Sequence, residues 1–254
     1  MKEIPVTFKS KGQQIVGMLH SPNRKKSPAI ILCHGFSGSK TTPRGYLFPR
    51  ISRELCKKGF IVLRFDFRGC GDSEGKSEDY SYKTQLEDLG TGLDFLEKNP
   101  KVDKNRIGVL GHSVAGATVV IKAKEDERIK CLVCLASNVF LKERLSDDEI
   151  KNIKRNGFFY NEERGLKVGI KFWKDIERID NTINYVTEIN VPILIVHGNA
   201  DEVIPYSESK ELYKNANEPK KLDIIKEANH SFTVENHRKK VINSTIEWFN
   251  KWLK

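Results

Sequence analysis

Three residues of this chain, Ser113, Asp201 and His230, could together break an acyl bond. A serine hydroxyl is a poor nucleophile at neutral pH and needs a base within hydrogen-bond reach. Imidazole titrates in the useful range, and a carboxylate behind it fixes its tautomer and stabilises the imidazolium. Ser113 lies in Ile107-Gly108-Val109-Leu110-Gly111-His112-Ser113-Val114-Ala115-Gly116, where an apolar run ends abruptly before a small-residue, β-branched segment of helical character. A strand, a tight turn and a helix with serine at the apex read this way, and the residues two before and two after the serine must then be small. Gly111 meets the requirement. Ala115 departs from the glycine of the strict pattern by one methyl, with Gly116 beside it. Many serine turns match such a pentapeptide by chance, so the rest of the chain must supply acid, base and oxyanion donors.

The elements around these residues supply them in order. Ile4–Lys9 and Gln14–His20, separated by Lys11-Gly12, read as a β-hairpin. Ala29–Cys33, Phe60–Phe67, Ile107–Leu110, Ile129–Ala136 and Pro192–His197 are apolar runs of the kind buried on both faces of a sheet, and Lys221–Ile225 reads as a further strand. Helical spacing is predicted over Tyr46–Lys58, Tyr82–Lys98, Val114–Lys124, Tyr206–Lys214 and Asn236–Leu253. Strands alternating with helices imply an α/β fold, with a mostly parallel central sheet and helices on both faces. Ligands then bind beyond the C-terminal strand ends, where Ser113, Asp201 and His230 all fall, in the order serine, acid, histidine.

Each position has rivals of the same chemical type. Glu202, Asp175 and Asp180 compete with Asp201, which is favoured because it opens the loop Asp201-Glu202-Val203-Ile204-Pro205. Among the histidines, His237 reads as helix surface and His34 as a brace for its loop. His112 is expected to point away from the opening, and His197 to pack at a strand end before Gly198. The natural oxyanion donors are the backbone N–H groups of Val114, just after the serine, and Phe36, after His34-Gly35.

Between Ser137 and Val191 the alternation breaks. Leu141–Lys154 is a charged helix candidate, Gly157–Tyr160 and Leu166–Ile170 flank a hairpin turn, and Lys171–Ile179 reads as a short helix. We read the chain as a single domain, residues 1–254, with a cap insertion at about 138–190 over the C-terminal sheet edge. Phe158, Phe159, Tyr160, Phe172 and Trp173 could line a substrate pocket there, or hold the insertion to the sheet.

Composition narrows the partners. The net charge of +10 comes mostly from scattered lysines interleaved with acids, without the basic tract and aromatics of a nucleic-acid surface. No apolar run approaches the ~20 residues that cross a bilayer, and Met1–Pro5 lacks a signal peptide's apolar core, so a cytoplasmic location is expected. The five cysteines exclude a complete disulfide framework. Cys131 and Cys134, three apart on a strand, face opposite sides and could not share a metal.

His34-Gly35-Phe36, Asp66–Ser73, Gly111–Gly116, His197-Gly198-Asn199-Ala200-Asp201 and Asn229-His230-Ser231-Phe232 together resemble serine hydrolases of the α/β-hydrolase superfamily. Within it the chain is similar to small cytosolic carboxylesterases of the cinnamoyl/feruloyl-esterase type and to acyl peptidase-like hydrolases. The resemblance implies nucleophile Ser113, acid Asp201, base His230 and an architectural role for Asp66–Ser73. The expected reaction is hydrolysis of a small-molecule carboxylic ester, of aryl or hydroxycinnamoyl type, through an acyl-enzyme. It would need no metal or organic cofactor, and the protein would act as a monomer or homodimer. A thioester or peptide amide is the alternative substrate, and a non-catalytic small-molecule receptor the third reading.

Overall fold

The computed structural model describes the whole chain, Met1–Lys254. The chain opens with a hairpin, β1 (Lys2–Ser10) and β2 (Gln13–Ser21), which turns at Lys11 and Gly12. Both turn residues have positive φ, 49° and 84°, the geometry whose twist matches that of the flanking strands. There follow β3 (Ser27–Cys33), α1 (Leu47–Lys57), β4 (Ile61–Phe65), α2 (Tyr82–Glu97), β5 (Val102–His112), α3 (Val114–Glu125) and β6 (Ile129–Leu135). The segment after β6 carries α4 (Asp147–Asn156), the hairpin β7 (Phe158–Asn161) and β8 (Leu166–Gly169), α5 (Ile170–Ile179) and α6 (Ile183–Val186). The chain then completes the sheet with β9 (Ile193–Gly198), α7 (Tyr206–Asn215), β10 (Lys220–Ile225) and α8 (Glu235–Leu253).

Eight strands form one sheet in the order β1-β2-β4-β3-β5-β6-β9-β10. The hairpin is antiparallel and β2 joins β4 antiparallel, whereas every pairing from β4 through β10 is parallel. From β3 the chain moves outward to β4, then crosses back so that β5 lies on the other side of β3. That reversal leaves a crevice beyond the C-terminal ends of β3 and β5, where an open parallel sheet binds its ligands. The edge strand β10 carries Lys220, Lys221 and Asp223, charges that oppose edge-to-edge pairing.

The strands bury both faces by alternation. Ala29, Ile31 and Cys33 pack with Leu89, Leu93, Val119 and Val120 of α2 and α3, while Ile30 and Leu32 pack with Ile51 and Leu55 of α1 and Phe249 of α8. Cys134 belongs to the first face and Cys131 to the second, as three-residue spacing on a strand requires. No helix is long and apolar enough to cross a membrane.

The inserted segment differs from the sequence expectation at its first helix. Leu141–Arg144 forms a 3₁₀ turn, and a separate helix starts behind Ser146. The Glu149 N–H donates to Ser146 Oγ at 3.3 Å and the Ser146 N–H to the Glu149 carboxylate at 2.8 Å, a reciprocal cap that starts α4 afresh. An apolar cluster ties the segment to the sheet domain, with Phe159, Phe172, Trp173 and Ile176 against Tyr80, Tyr82, Val114 and Ala117. The Asp175 carboxylate also accepts the Lys83 N–H at 2.7 Å in the first turn of α2, where a negative charge is favoured.

Phe249 is fully buried and fills the space over Gly108, whose absent Cβ would lie 2.7 Å from its ring. Replacing it with alanine should lower unfolding free energy by about 3–5 kcal/mol. Urea denaturation would show this as a lower midpoint with an unchanged slope.

Candidate active site

Ser113 stands at the turn between β5 and α3 with φ 58° and ψ −123°. A non-glycine residue holds such a backbone only where its surroundings over-determine it. Its N–H donates to Leu135 O at 2.9 Å on β6, and its carbonyl accepts the N–H groups of Gly116 and Asn138 at 2.9 and 3.2 Å. The small residues around it have separate reasons. A Cβ on Gly111 would lie 2.2 Å from Ala115 O, and one on Gly116 would lie 2.2 Å from Ser137 Oγ. Ala115 is itself buried in the core with Val119 and Val120, so the methyl that departs from the strict pattern is accommodated.

Asp201 and His230 reach the same place from the loops after β9 and β10, which are neighbours in the sheet. The Ser113 hydroxyl lies 3.1 Å from His230 Nε2, and His230 Nδ1 lies 2.8 Å from Asp201 Oδ2. With the carboxylate accepting at Nδ1, the imidazole carries its proton there and Nε2 faces the serine as an acceptor. The Val203 and Ile204 N–H groups each donate to Asp201 Oδ1 at 2.8 Å. Burial pushes the Asp201 carboxyl upward, but hydrogen bonds from His197 and His230 outweigh it and hold the group well below the usual carboxylate range. A hydroxyl held on an imidazole that is backed by a carboxylate can lose its proton as it attacks an acyl carbon.

The loop after β3 passes directly over the serine, since a Cβ on Gly35 would lie 2.8 Å from Ser113 Cβ. The Phe36 N–H that follows has no acceptor within the protein, and the Val114 N–H is in the first turn of α3, where intrahelical partners are lacking. Both are available to a developing oxyanion. His34 braces this loop: its Nδ1 donates to Gly35 O at 2.9 Å and its Nε2 accepts the Phe67 N–H at 3.1 Å. Asp66, fully buried, accepts the Asp72 N–H at 2.9 Å and Lys40 Nζ at 2.6 Å, joining the loops after β3 and β4.

Several expectations need correcting. His112 is buried rather than open to solvent, but it is not a bystander: its ring lies 4.9 Å from that of His230, and its Nε2 donates to His230 O at 3.1 Å. It stands at the end of β5 and reaches the loop that carries His230. His197 is fully buried but does more than pack, because its Nε2 lies 2.9 Å from Asp201 Oδ2. Phe158, Phe159 and Tyr160 all border a cleft with Asp148, Asn152 and Asn156 that no triad residue lines. Strand alternation sends only Phe159 of that run inward, and Tyr160 is exposed. Phe159 and Trp173 are buried in the cluster that contains Val114.

Beside the oxyanion loop, a largely buried aromatic cluster joins residues remote in sequence. Phe36 packs edge-on against Tyr80 at 5.4 Å and tilted against Phe172 at 5.7 Å, and Phe172 stacks on Tyr82 at 5.6 Å. From the turn between β7 and β8, Arg164 lies over the Phe36 ring and donates to Phe36 O at 3.2 Å and Ser37 Oγ at 2.8 Å. Ser113 and His230 are 8% and 9% exposed under this cover.

A sheet of this topology with a serine at the β5 turn defines an α/β hydrolase. Residues 49–254 match the prolyl oligopeptidase family, and the chain belongs to that family. It is 38% identical over 108 residues to an uncharacterized 31.7 kDa protein of Escherichia coli encoded between traX and finO, a match covering 42% of this chain and 36% of that protein. It is 31% identical over 131 residues to the thiohydrolase aneE of Aspergillus aculeatus, covering 50% of this chain and 40% of that one. These matches thus span well under two thirds of the relatives' own lengths. Among solved structures, Est1E of Butyrivibrio proteoclasticus with bound ferulic acid superposes with a TM-score of 0.86 at 25% identity, over 97% of this chain and 98% of that one. The chain thus has the α/β-hydrolase fold and is similar in structure to Est1E, which binds ferulic acid.

Burial also sets an acid sensitivity, in part at this site. Burial, followed by the His230 charge, pushes His112 down to about 3, and burial, followed by the Arg64 charge, pushes His20 down to about 4. Unfolded histidines titrate near ~6.5, so below that pH the unfolded chain binds more protons than the folded one, and stability falls as pH drops toward 4 and 3. His112→Gln retains an N–H for His230 O and removes one titrating group. Urea unfolding at pH 7 and pH 4.5 should show a smaller acid-induced loss of stability in this variant than in the parent. An equal loss would contradict the assignment.

Proposed function

We propose that the protein hydrolyses carboxylic esters through an acyl-enzyme on Ser113. The observation that carries this reading is the continuous chain Ser113 Oγ, His230, Asp201 beside two available backbone donors. In acylation Ser113 Oγ attacks the carbonyl carbon while its proton passes to His230 Nε2. The carbonyl electrons move onto oxygen, and the N–H groups of Phe36 and Val114 stabilise the oxyanion. Collapse of this intermediate breaks the bond to the alcohol oxygen, which takes the proton from His230. Water repeats the sequence in reverse roles, releasing the acid and restoring the serine. Asp201 stays ionised throughout and stabilises the transient imidazolium.

For the acyl group we infer an aromatic acid of hydroxycinnamoyl type. The half-buried Phe36 ring in the oxyanion loop, backed by the buried Tyr80 and Phe172 rings, supports a flat, apolar substrate. The similarity to Est1E, whose structure holds ferulic acid, supports the same class. A thioester is the second reading, favoured by the similarity to a thiohydrolase. The same oxyanion donors serve both acyl classes.

Purified protein should turn over methyl hydroxycinnamates faster, by kcat/KM, than short aliphatic esters, acyl-CoA thioesters or acyl anilides. Ser113→Ala should reduce that turnover by about a thousandfold or more and abolish labelling by a fluorophosphonate. Retention of parental turnover in the alanine variant would remove Ser113 as nucleophile. Preference for the thioester would replace the ester reading with the second one.

A further inference from the structure

Among the buried imidazoles that the mechanism above does not use, one touches the triad carboxylate. His197, on β9, is fully buried, and each ring nitrogen has a defined partner. Its Nε2 lies 2.9 Å from Asp201 Oδ2 and 3.0 Å from Ile204 O, and its Nδ1 lies 2.6 Å from Ser209 Oγ on α7. Both groups facing Nε2 can only accept when Asp201 is ionised, so Nε2 carries the proton. With the proton at Nε2, Nδ1 is the acceptor that the Ser209 hydroxyl, which has no other partner in the protein, can donate to. His197 makes no contact with Ser113 and cannot act as the base.

The Asp201 carboxylate is then saturated. Oδ1 accepts from Val203 and Ile204, and Oδ2 accepts from His230 and His197, filling the roughly four lone-pair directions of a carboxylate. His197 and His230 share one oxygen. A second donor on that oxygen withdraws charge from the bond to His230 and fixes the plane of the carboxylate against rotation.

We propose that His197, held in one tautomer by Ser209, is a positioning residue that sets both the orientation of Asp201 and the basicity of His230. It acts only through Asp201 and touches no reacting atom. Without its N–H, Asp201 Oδ2 becomes a stronger acceptor for His230 alone and the imidazolium is stabilised. The base would then stay protonated to higher pH, and the carboxylate would be less firmly oriented. The other ionisable groups facing His230 are His112, packed on its ring, and Glu202, whose carboxylate accepts the His230 N–H at 3.4 Å. Both are unchanged in the variants below, so a shift in the profile reports on His197.

This inference rests on the proposed Ser113 nucleophile, and the assay separates the two. The rate of Ser113 labelling by a fluorophosphonate is followed from pH 5.5 to 9.5, a readout independent of the natural acyl group. Failure of the parental protein to label would sink the nucleophile itself. With a labelling parent, His197→Phe should shift the limb that rises with pH upward by about half to one pH unit, a part of what one charge-assisted hydrogen bond is worth because the effect reaches His230 only through Asp201. The loss of rate should be about tenfold near pH 6 and only a few-fold at pH 9. His197→Gln, whose amide can still donate to Asp201, should recover most of the parental profile. Ser209→Ala, which frees the tautomer and leaves the strand unaltered, should move the limb the same way by less, and it carries the test if the phenylalanine variant does not fold. An unshifted limb in the folded variants, whatever their rate or stability, would make His197 a packing residue and overturn the proposal.

Discussion

The backbone of Ser113 is held in a conformation that costs on the order of 1–3 kcal/mol for a non-glycine residue, and much of the architecture can be understood as the scaffold that keeps it there. β6 must lie next to β5 so that Leu135 O can receive the Ser113 N–H. The turn must close so tightly that Gly111 touches the Ala115 carbonyl, and α3 must start so near β6 that Gly116 has no room for a side chain beside Ser137. In return the hydroxyl projects from the sheet edge beyond the end of β5, and the N–H groups at the start of α3 face the same way. The strained backbone, the projecting hydroxyl and the unpaired N–H group are consequences of a single turn.

A second constraint is the treatment of charge in a nearly dry site. Asp201 has no exposed side-chain surface, so its ionised form survives only because backbone N–H groups and two imidazoles surround it. His112 lies against His230 and is kept neutral by burial, which adds a donor for the His230 carbonyl without adding a positive charge beside the His230 imidazole. The polar groups are therefore arranged as a connected network whose members satisfy one another, the condition under which a buried network is rigid.

The segment between β6 and β9 contributes shape. Phe159, Phe172 and Trp173 join it to the body of the protein, and Phe172 reaches the Phe36 ring beside the oxyanion loop. Arg164 adds a polar tether to that loop from the hairpin turn. The segment, the loop after β3 and the buried Tyr80 and Tyr82 at the entrance to α2 are thus packed together through one aromatic cluster.

Local chemistry in the sequence was enough to determine the strand and helix order, the hairpin at Lys11-Gly12, and the presence of Ser113, Asp201 and His230 at C-terminal strand ends. Those features follow from apolar runs, turn glycines and chain direction, which are properties of neighbouring residues. Even Ser146 and Glu149 hold the signal for where α4 begins, although the charged run beside them obscures it. Only the tertiary structure decided which side chains meet. His197 and Asp201 are four apart across a bend, His112 reaches His230 from 118 positions away, and Phe36 finds Phe172 across the insertion. Periodicity places a residue on a face of its own element, but contacts depend on strand order and on how loops from different strands converge. Phe158 and Tyr160 show the limit: as aromatic residues they match Phe159, yet one step along a pleated strand turns them to the opposite side.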